Sequence, residues 1–142
     1  MAKLESFSLN TFVKDDSEFS YLKWLLNNLN YVKKLKIHLK SDKLHERDKV
    51  IWKSVIDANF IRQYCLPDQI INLKQFHFYI VSKYESIKKT TEEIIHSFQI
   101  HPFFLNYQWT NVKCLFDSML SYQHLSSSSC SIYKREFFHD SM

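Results

Sequence analysis

The chain has 142 residues, 45% of them apolar, 16% aromatic and 24% charged, with a formal net charge of +4. That length holds one domain with a real core, and the mild charge, gathered at Lys33, Lys34, Lys36, Lys40 and Lys43, falls short of a nucleic-acid binder's broad basic footprint. Glycine is absent, which excludes a P-loop, a dinucleotide fingerprint and a nucleophile elbow and leaves the turns to Asn, Asp and Ser.

Residues 4–13 predict a strand running into a turn at Lys14-Asp15-Asp16. Asp16 or Ser17 then caps a helix over 17–29, because a short side-chain oxygen satisfies a free amide there. Phe19, Leu22, Leu25, Leu26 and Leu29 form its apolar stripe, and Glu18 sits in the first turn, where the helix dipole favours a negative charge. Residues 32–39 alternate as a second strand, broken by Ser41-Asp42-Lys43. A second helix is predicted over 46–59, with Val50, Ile51, Val55 and Ala58 on one side; residues 60–66 are less periodic, and Pro67 holds Leu66 extended. Residues 73–82 form the clearest strand. A third helix is predicted over 86–98, capped by Ser86, with Ile87, Ile94, Ile95 and Phe98 apolar and Glu92-Glu93 on the solvent side. Residues 103–116 are rich in aromatic and β-branched side chains, which predicts a fourth strand near 109–116. Ser126 to Ser129 reads as a mobile loop, and Ile132 to Phe138 as a last strand-like run.

Three of these strands share one spacing: Leu4-x-x-Phe7-x-Leu9, Val32-x-x-Leu35-x-Ile37 and Leu73-x-x-Phe76-x-Phe78. Trp109-x-x-Val112-x-Cys114 echoes it. A strand-then-helix unit of this kind cannot bury its apolar face alone and stacks on its neighbours. The prediction is an α/β fold, a short leucine-rich-repeat-like solenoid of three to four irregular repeats. Parallel strands line its concave face and helices its convex face. Residues 1–125 form that domain and residues 126–142 a serine-rich mobile tail.

These motifs, with the stretch from Glu92-Glu93-Ile94-Ile95 through Ser97-Phe98, Phe103-Phe104, Trp109 and Cys114, resemble divergent leucine-rich-repeat proteins of the F-box-like type. The resemblance covers about residues 4–117. It implies recognition of a substrate for a ubiquitin ligase. Since the repeats begin at Leu4, the expectation is the substrate-reading half alone, or a piece of a longer protein, with the F-box absent from this chain.

Parallel stacking of the three strands sets Ser6, Lys34 and Gln75 in one row, Ser8, Lys36 and His77 in a second, and Asn10, His38 and Tyr79 in a third. Lys34, Lys36, His38, Gln75, His77 and Tyr79 are therefore the candidate partner-binding residues, against the plainer reading of a solvated sheet face. The lysine cluster either meets phosphates or acidic partners or keeps the strand soluble. Trp24, Trp52, Phe103, Phe104, Tyr107 and Trp109 either form an exposed patch or seal the interfaces between repeats.

No catalytic constellation is legible. Cys114 reads as a small buried hydrophobe, Cys65 and Cys130 have no activating neighbour, and the pairs Asp15-Asp16 and Glu92-Glu93 read as caps and solvated faces. His96 and His101 match no standard zinc spacing, so neither metal nor cofactor is expected. Three sparse cysteines, the lack of a signal peptide and the lack of an apolar span predict a soluble protein of the cytoplasm or nucleus, not an enzyme and not bound to membrane. The expected job is non-enzymatic protein–protein interaction. The alternative is a nucleic-acid-binding module in which Lys34, Lys36, His38 and His77 hold the backbone and Tyr79 stacks on a base. The first strand lies at a bare edge beside Phe7, Leu9 and Phe12, so self-association, aggregation or an upstream repeat is expected as well.

Overall fold

The computed structural model describes residues 4–41, 52–83 and 89–127. The elements are β1 (Ser6–Phe12), α1 (Glu18–Asn27), β2 (Lys34–Lys40), α2 (Ala58–Tyr64), β3 (Gln75–Lys83), α3 (Thr91–Ile100), α4 (Pro102–Tyr107), β4 (Val112–Asp117) and β5 (Tyr122–Ser127). They build one five-stranded sheet in the order β1-β2-β3-β5-β4.

β1, β2 and β3 run parallel, and their register matches the shared spacing: Ser6, Lys34 and Gln75 are partners, then Ser8, Lys36 and His77, then Asn10, His38 and Tyr79. The other half of the sheet corrects the prediction. β5 pairs antiparallel with both β3 and β4. The sheet is mixed and closes with a hairpin, so the molecule is not a solenoid. The reason lies in the connection after β4. A further parallel strand needs a long crossover, commonly a helix, whereas a tight turn allows only antiparallel return. Residues 118–121 make that tight turn, with Ser121 at φ 58°. The fourth copy of the motif thus lies at the far edge, beside β5 instead of β3.

The core forms where the apolar rows of the sheet meet the helices. Leu35, Ile37 and Leu39 of β2 and Phe76, Phe78 and Ile80 of β3 are buried with Phe19, Leu22 and Leu26 of α1. Ala58, Phe60 and Ile61 of α2, Ile94 and Phe98 of α3, and Phe104 of α4 complete the layer. Phe98 stacks on Phe78 with ring centroids 5.7 Å apart and meets Phe104 edge-on at 4.9 Å. Trp52 packs edge-on against Phe19 at 5.0 Å and donates its indole N–H to the Val13 carbonyl at 2.9 Å.

Several local expectations shift. α2 starts only at Ala58 and takes in residues 60–64, where periodicity was weak. The rest of the predicted 46–59 helix is non-helical from Trp52 to Asp57 or lies outside the described residues. Asp57 begins α2 by accepting from the Phe60 amide at 3.1 Å. α3 begins at Thr91, where Thr90 and Glu93 form a reciprocal capping box. Ser86 and Ile87 lie outside the described residues. Residues 102–107 are helical, not extended: Pro102 occupies the first turn, and His101 Nδ1 accepts from the Phe103 amide at 3.2 Å. At the start of α1 it is Asp15 that accepts from the Ser17 amide, at 3.0 Å. Asp16 instead accepts from the Lys53 amide at 3.0 Å and the Ser54 hydroxyl at 2.8 Å, which ties the segment after β2 to the head of α1. Ser126 and Ser127 belong to β5, while residues 128–142, including Cys130 and the run from Ile132 to Phe138, lie outside the described residues.

Candidate functional site

The six residues singled out by the strand pattern divide into two groups. Lys34, Lys36 and Gln75 are exposed and His77 is half-buried, at the end of the sheet where the parallel strands begin. His38 and Tyr79 are buried, at 3% and 4% exposure. Their rings stack with centroids 5.0 Å apart and planes within 3°. The Tyr79 hydroxyl also lies 3.0 Å from His124 Nδ1 of β5. The sheet thus brings all six residues into neighbouring rows but withdraws His38 and Tyr79 from solvent, while Asn10 at the edge of their row stays exposed.

Titration follows the same division. Burial is the main cause that lowers His124 to about 4; nearby Lys40 adds to the shift and Asp117 opposes it. Burial, helped by Lys36, also holds His77 below the ordinary imidazole value. Both imidazoles are held toward the neutral form, and the exposed Lys34 and Lys36 bring positive charge to this face. Burial likewise pushes the Cys114 thiol up to about 12 and the Cys65 thiol higher still, so neither is a thiolate nucleophile. Among the described residues no group of three His, Cys, Asp or Glu side chains is arranged to hold a metal ion. No helix among them is long and apolar enough to cross a membrane.

A second surface was not singled out by the strand pattern. Among the described residues β1 is an edge strand, and its core-side residues Phe7, Leu9 and Thr11 stay half-exposed. The equivalent residues of β2, Leu35, Ile37 and Leu39, are at most 1% exposed. Beside this uncovered row runs a groove of about 480 Å³. Leu9, Thr11 and Phe12 form its strand wall; Tyr21, Leu22 and Leu25 of α1 form its helix wall. The groove continues past Tyr21 into a shallower depression lined by Ser17, Ser20 and Trp24. Tyr21 and Trp24 are 73% and 60% exposed, and their ring centroids lie 5.8 Å apart.

The helix wall is held in place from behind. Lys23 donates to the Leu66 carbonyl at 2.9 Å and pairs with Asp68 at 2.6 Å. The Asp68 amide donates to the Asn27 side chain at 2.7 Å, and Asn27 returns a bond to the Asp68 carboxylate at 3.1 Å. These contacts fix the roll of α1, so Phe19, Leu22 and Leu26 face the core while Tyr21 and Trp24 face out. Trp24 therefore belongs to an exposed patch. Trp52 and Phe104 are core, and Phe103, Tyr107 and Trp109 form a half-buried cluster with Arg62 over the Phe103 ring at 4.7 Å. A sequence signal for the groove existed: Tyr21 and Trp24 are aromatics off the Phe19-Leu22-Leu26 stripe.

The backbone of β1 adds an opening of its own. Glu5 accepts from Lys34, and the Val13 amide donates to Lys40, so the odd-numbered residues bond toward β2. Peptide groups alternate sides along a strand, and the even-numbered residues Ser6, Ser8 and Asn10 therefore present N–H and C=O to the open edge. Residues 6–12 carry no charge and no proline, the usual guards of an edge.

No family model, curated protein or solved structure matches this chain.

Proposed function

We propose that the chain is a non-enzymatic protein-interaction module whose docking surface is the β1 edge together with the groove beneath Tyr21 and Trp24. The observation that carries this reading is the juxtaposition of an unguarded strand edge with an exposed aromatic pair and an uncovered apolar row. An extended segment of a protein gains backbone hydrogen bonds at such an edge, while its alternate side chains fill the groove. Tyr and Trp are the residue types that dominate binding energy at protein interfaces. Buried free thiols at Cys65 and Cys114 go with a reducing compartment, cytoplasmic or nuclear.

Nucleic-acid binding by the sheet face is the second reading. Exposed Lys34 and Lys36 beside Gln75 support it. Burial of Tyr79 against His38 removes the stacking platform it relied on.

The test is selection from a displayed library of extended peptides, followed by affinity measurement on Trp24→Ala and Ser8→Pro. Ser8→Pro removes an edge-facing N–H and leaves the β1–β2 ladder its bonds. Peptides of alternating apolar pattern are expected, with a loss on the order of tenfold or more in both variants at unchanged melting temperature. Selection of no peptide, binding by both variants as tight as by wild type, or retention of polynucleotide alone overturns the reading.

A further inference from the structure

We infer that the occupant of this groove is a second copy of the chain, joined antiparallel through β1 about a twofold axis at Leu9; the inference rests on the docking reading above. An isologous strand pair must be self-complementary. Three features of β1 make it so.

First, the edge-facing groups of the even-numbered residues fix which registers hydrogen-bond. With the axis at Leu9, Ser8 meets the partner's Asn10 on both sides of the axis, both residues at bonding positions. Second, the faces agree. Antiparallel partners point their side chains to the same side. Phe7 then lies opposite the partner's Thr11, and Leu9 opposite the partner's Leu9, so the half-exposed apolar rows join into one layer. Third, residues 6–12 are uncharged, so pairing the two strands sets no like charges opposite each other although the chain carries a net charge of +4.

The helices fit the same arrangement. Leu9 of β1, Leu39 of β2 and Leu22 of α1 line one groove, so α1 lies over the β1–β2 pair. With strands spaced about 4.8 Å, the two copies of α1 come to about 10 Å across the axis, the distance at which helices pack. Tyr21 and Leu25 of one copy then fill the groove of the other. A single extended peptide satisfies the edge but brings no helix to cover the exposed ring of Tyr21.

The experiment is sedimentation of the full chain across micromolar concentrations, with three variants. Wild type is expected to be a closed dimer. Ser8→Lys with Asn10→Lys sets like charges opposite each other across the axis, on the side of the sheet away from the core. It is expected to yield a folded monomer, with self-association weakened on the order of tenfold or more. Mixing that variant with Ser8→Glu/Asn10→Glu is expected to restore the dimer as a mixed pair. Leu9→Cys places two thiols at a close, non-hydrogen-bonded antiparallel pair and is expected to yield a covalent dimer on mild oxidation. A wild-type monomer, a dimer that persists in the lysine variant, or open-ended aggregation insensitive to charge overturns the inference. If the wild type is a monomer and selected peptides still need Ser8 and Trp24, the docking reading stands without the dimer.

Discussion

The Tyr79 hydroxyl lies 3.0 Å from Nδ1 of His124, joining β3 to β5 on the sheet face opposite the core, and both side chains are buried. This contact ties the antiparallel half of the sheet to the parallel half. Burial at this junction favours the neutral form of His124, and the first prediction follows from that.

His124 titrates at about 4 in the folded chain, against an ordinary value of 6.5. In the unfolded chain the imidazole takes up its proton as pH falls through 6.5, while the folded chain resists until about 4. The unfolded state thus binds more protons in that window, and stability declines from pH 6.5 to 4, by at most roughly 3 kcal/mol from this group. His77, lowered in the same direction, adds to the trend. Urea midpoints at pH 7.5 and 4.5 should differ less for His124→Gln than for wild type. An equal acid loss in both would show that His124 is not the group responsible.

Trp52 is 1% exposed and bonds the carbonyl of Val13. Trp52→Phe keeps most of the packing but strands that carbonyl, and is expected to cost about 1–3 kcal/mol. Trp52→Ala opens a cavity and is expected to cost about 3–5 kcal/mol. Denaturant unfolding measures both, and equal losses would show that the indole hydrogen bond contributes nothing separable.

Asp57 caps α2 and also accepts from Lys89 at 2.9 Å, which raises the Lys89 ammonium above its ordinary value. Asp57→Ala loses both contacts and is expected to cost about 2 kcal/mol. Asp57→Asn keeps a capping oxygen and should retain most of that stability. If the two variants unfold at one midpoint, the ion pair outweighs the cap.

Gln108 ends α4 in the left-handed region, at φ 60° and ψ 33°. That conformation crowds a Cβ, and helices commonly place glycine there. Gln108→Gly is expected to raise stability by about 0.5–1 kcal/mol, less the larger entropy glycine brings to the unfolded chain. A lower melting temperature would mean that the Gln108 side chain makes a compensating contribution.

Much of the parallel half was legible because it is local. Alternation over Lys34–Lys40 and Gln75–Lys83 marks strands, the Phe19-Leu22-Leu26 stripe marks α1, and the shared spacing aligned three strands in their observed register. α2 escaped because seven residues hold too few turns for a period to show. α4 escaped because aromatic residues prefer strands, yet Pro102, the His101 cap and burial of Phe104 outweigh that preference. Of the six residues expected on the strand face, Lys34, Lys36 and Gln75 face solvent, His77 is half-buried, and His38 and Tyr79 are covered.

The sequence by itself determined the strands of the parallel half, their common register and the apolar face each turns to the core, because these depend on residues two to four positions apart. Only the tertiary structure decided that β5 slots between β3 and β4 and that His38 and Tyr79 are buried. Those outcomes depend on contacts between segments tens of residues apart, such as Lys23 with Asp68 and Tyr79 with His124. Within α1 the stripe shows which side chains turn inward, but the contact that anchors the helix, Lys23 with Asp68, joins segments that no periodicity links.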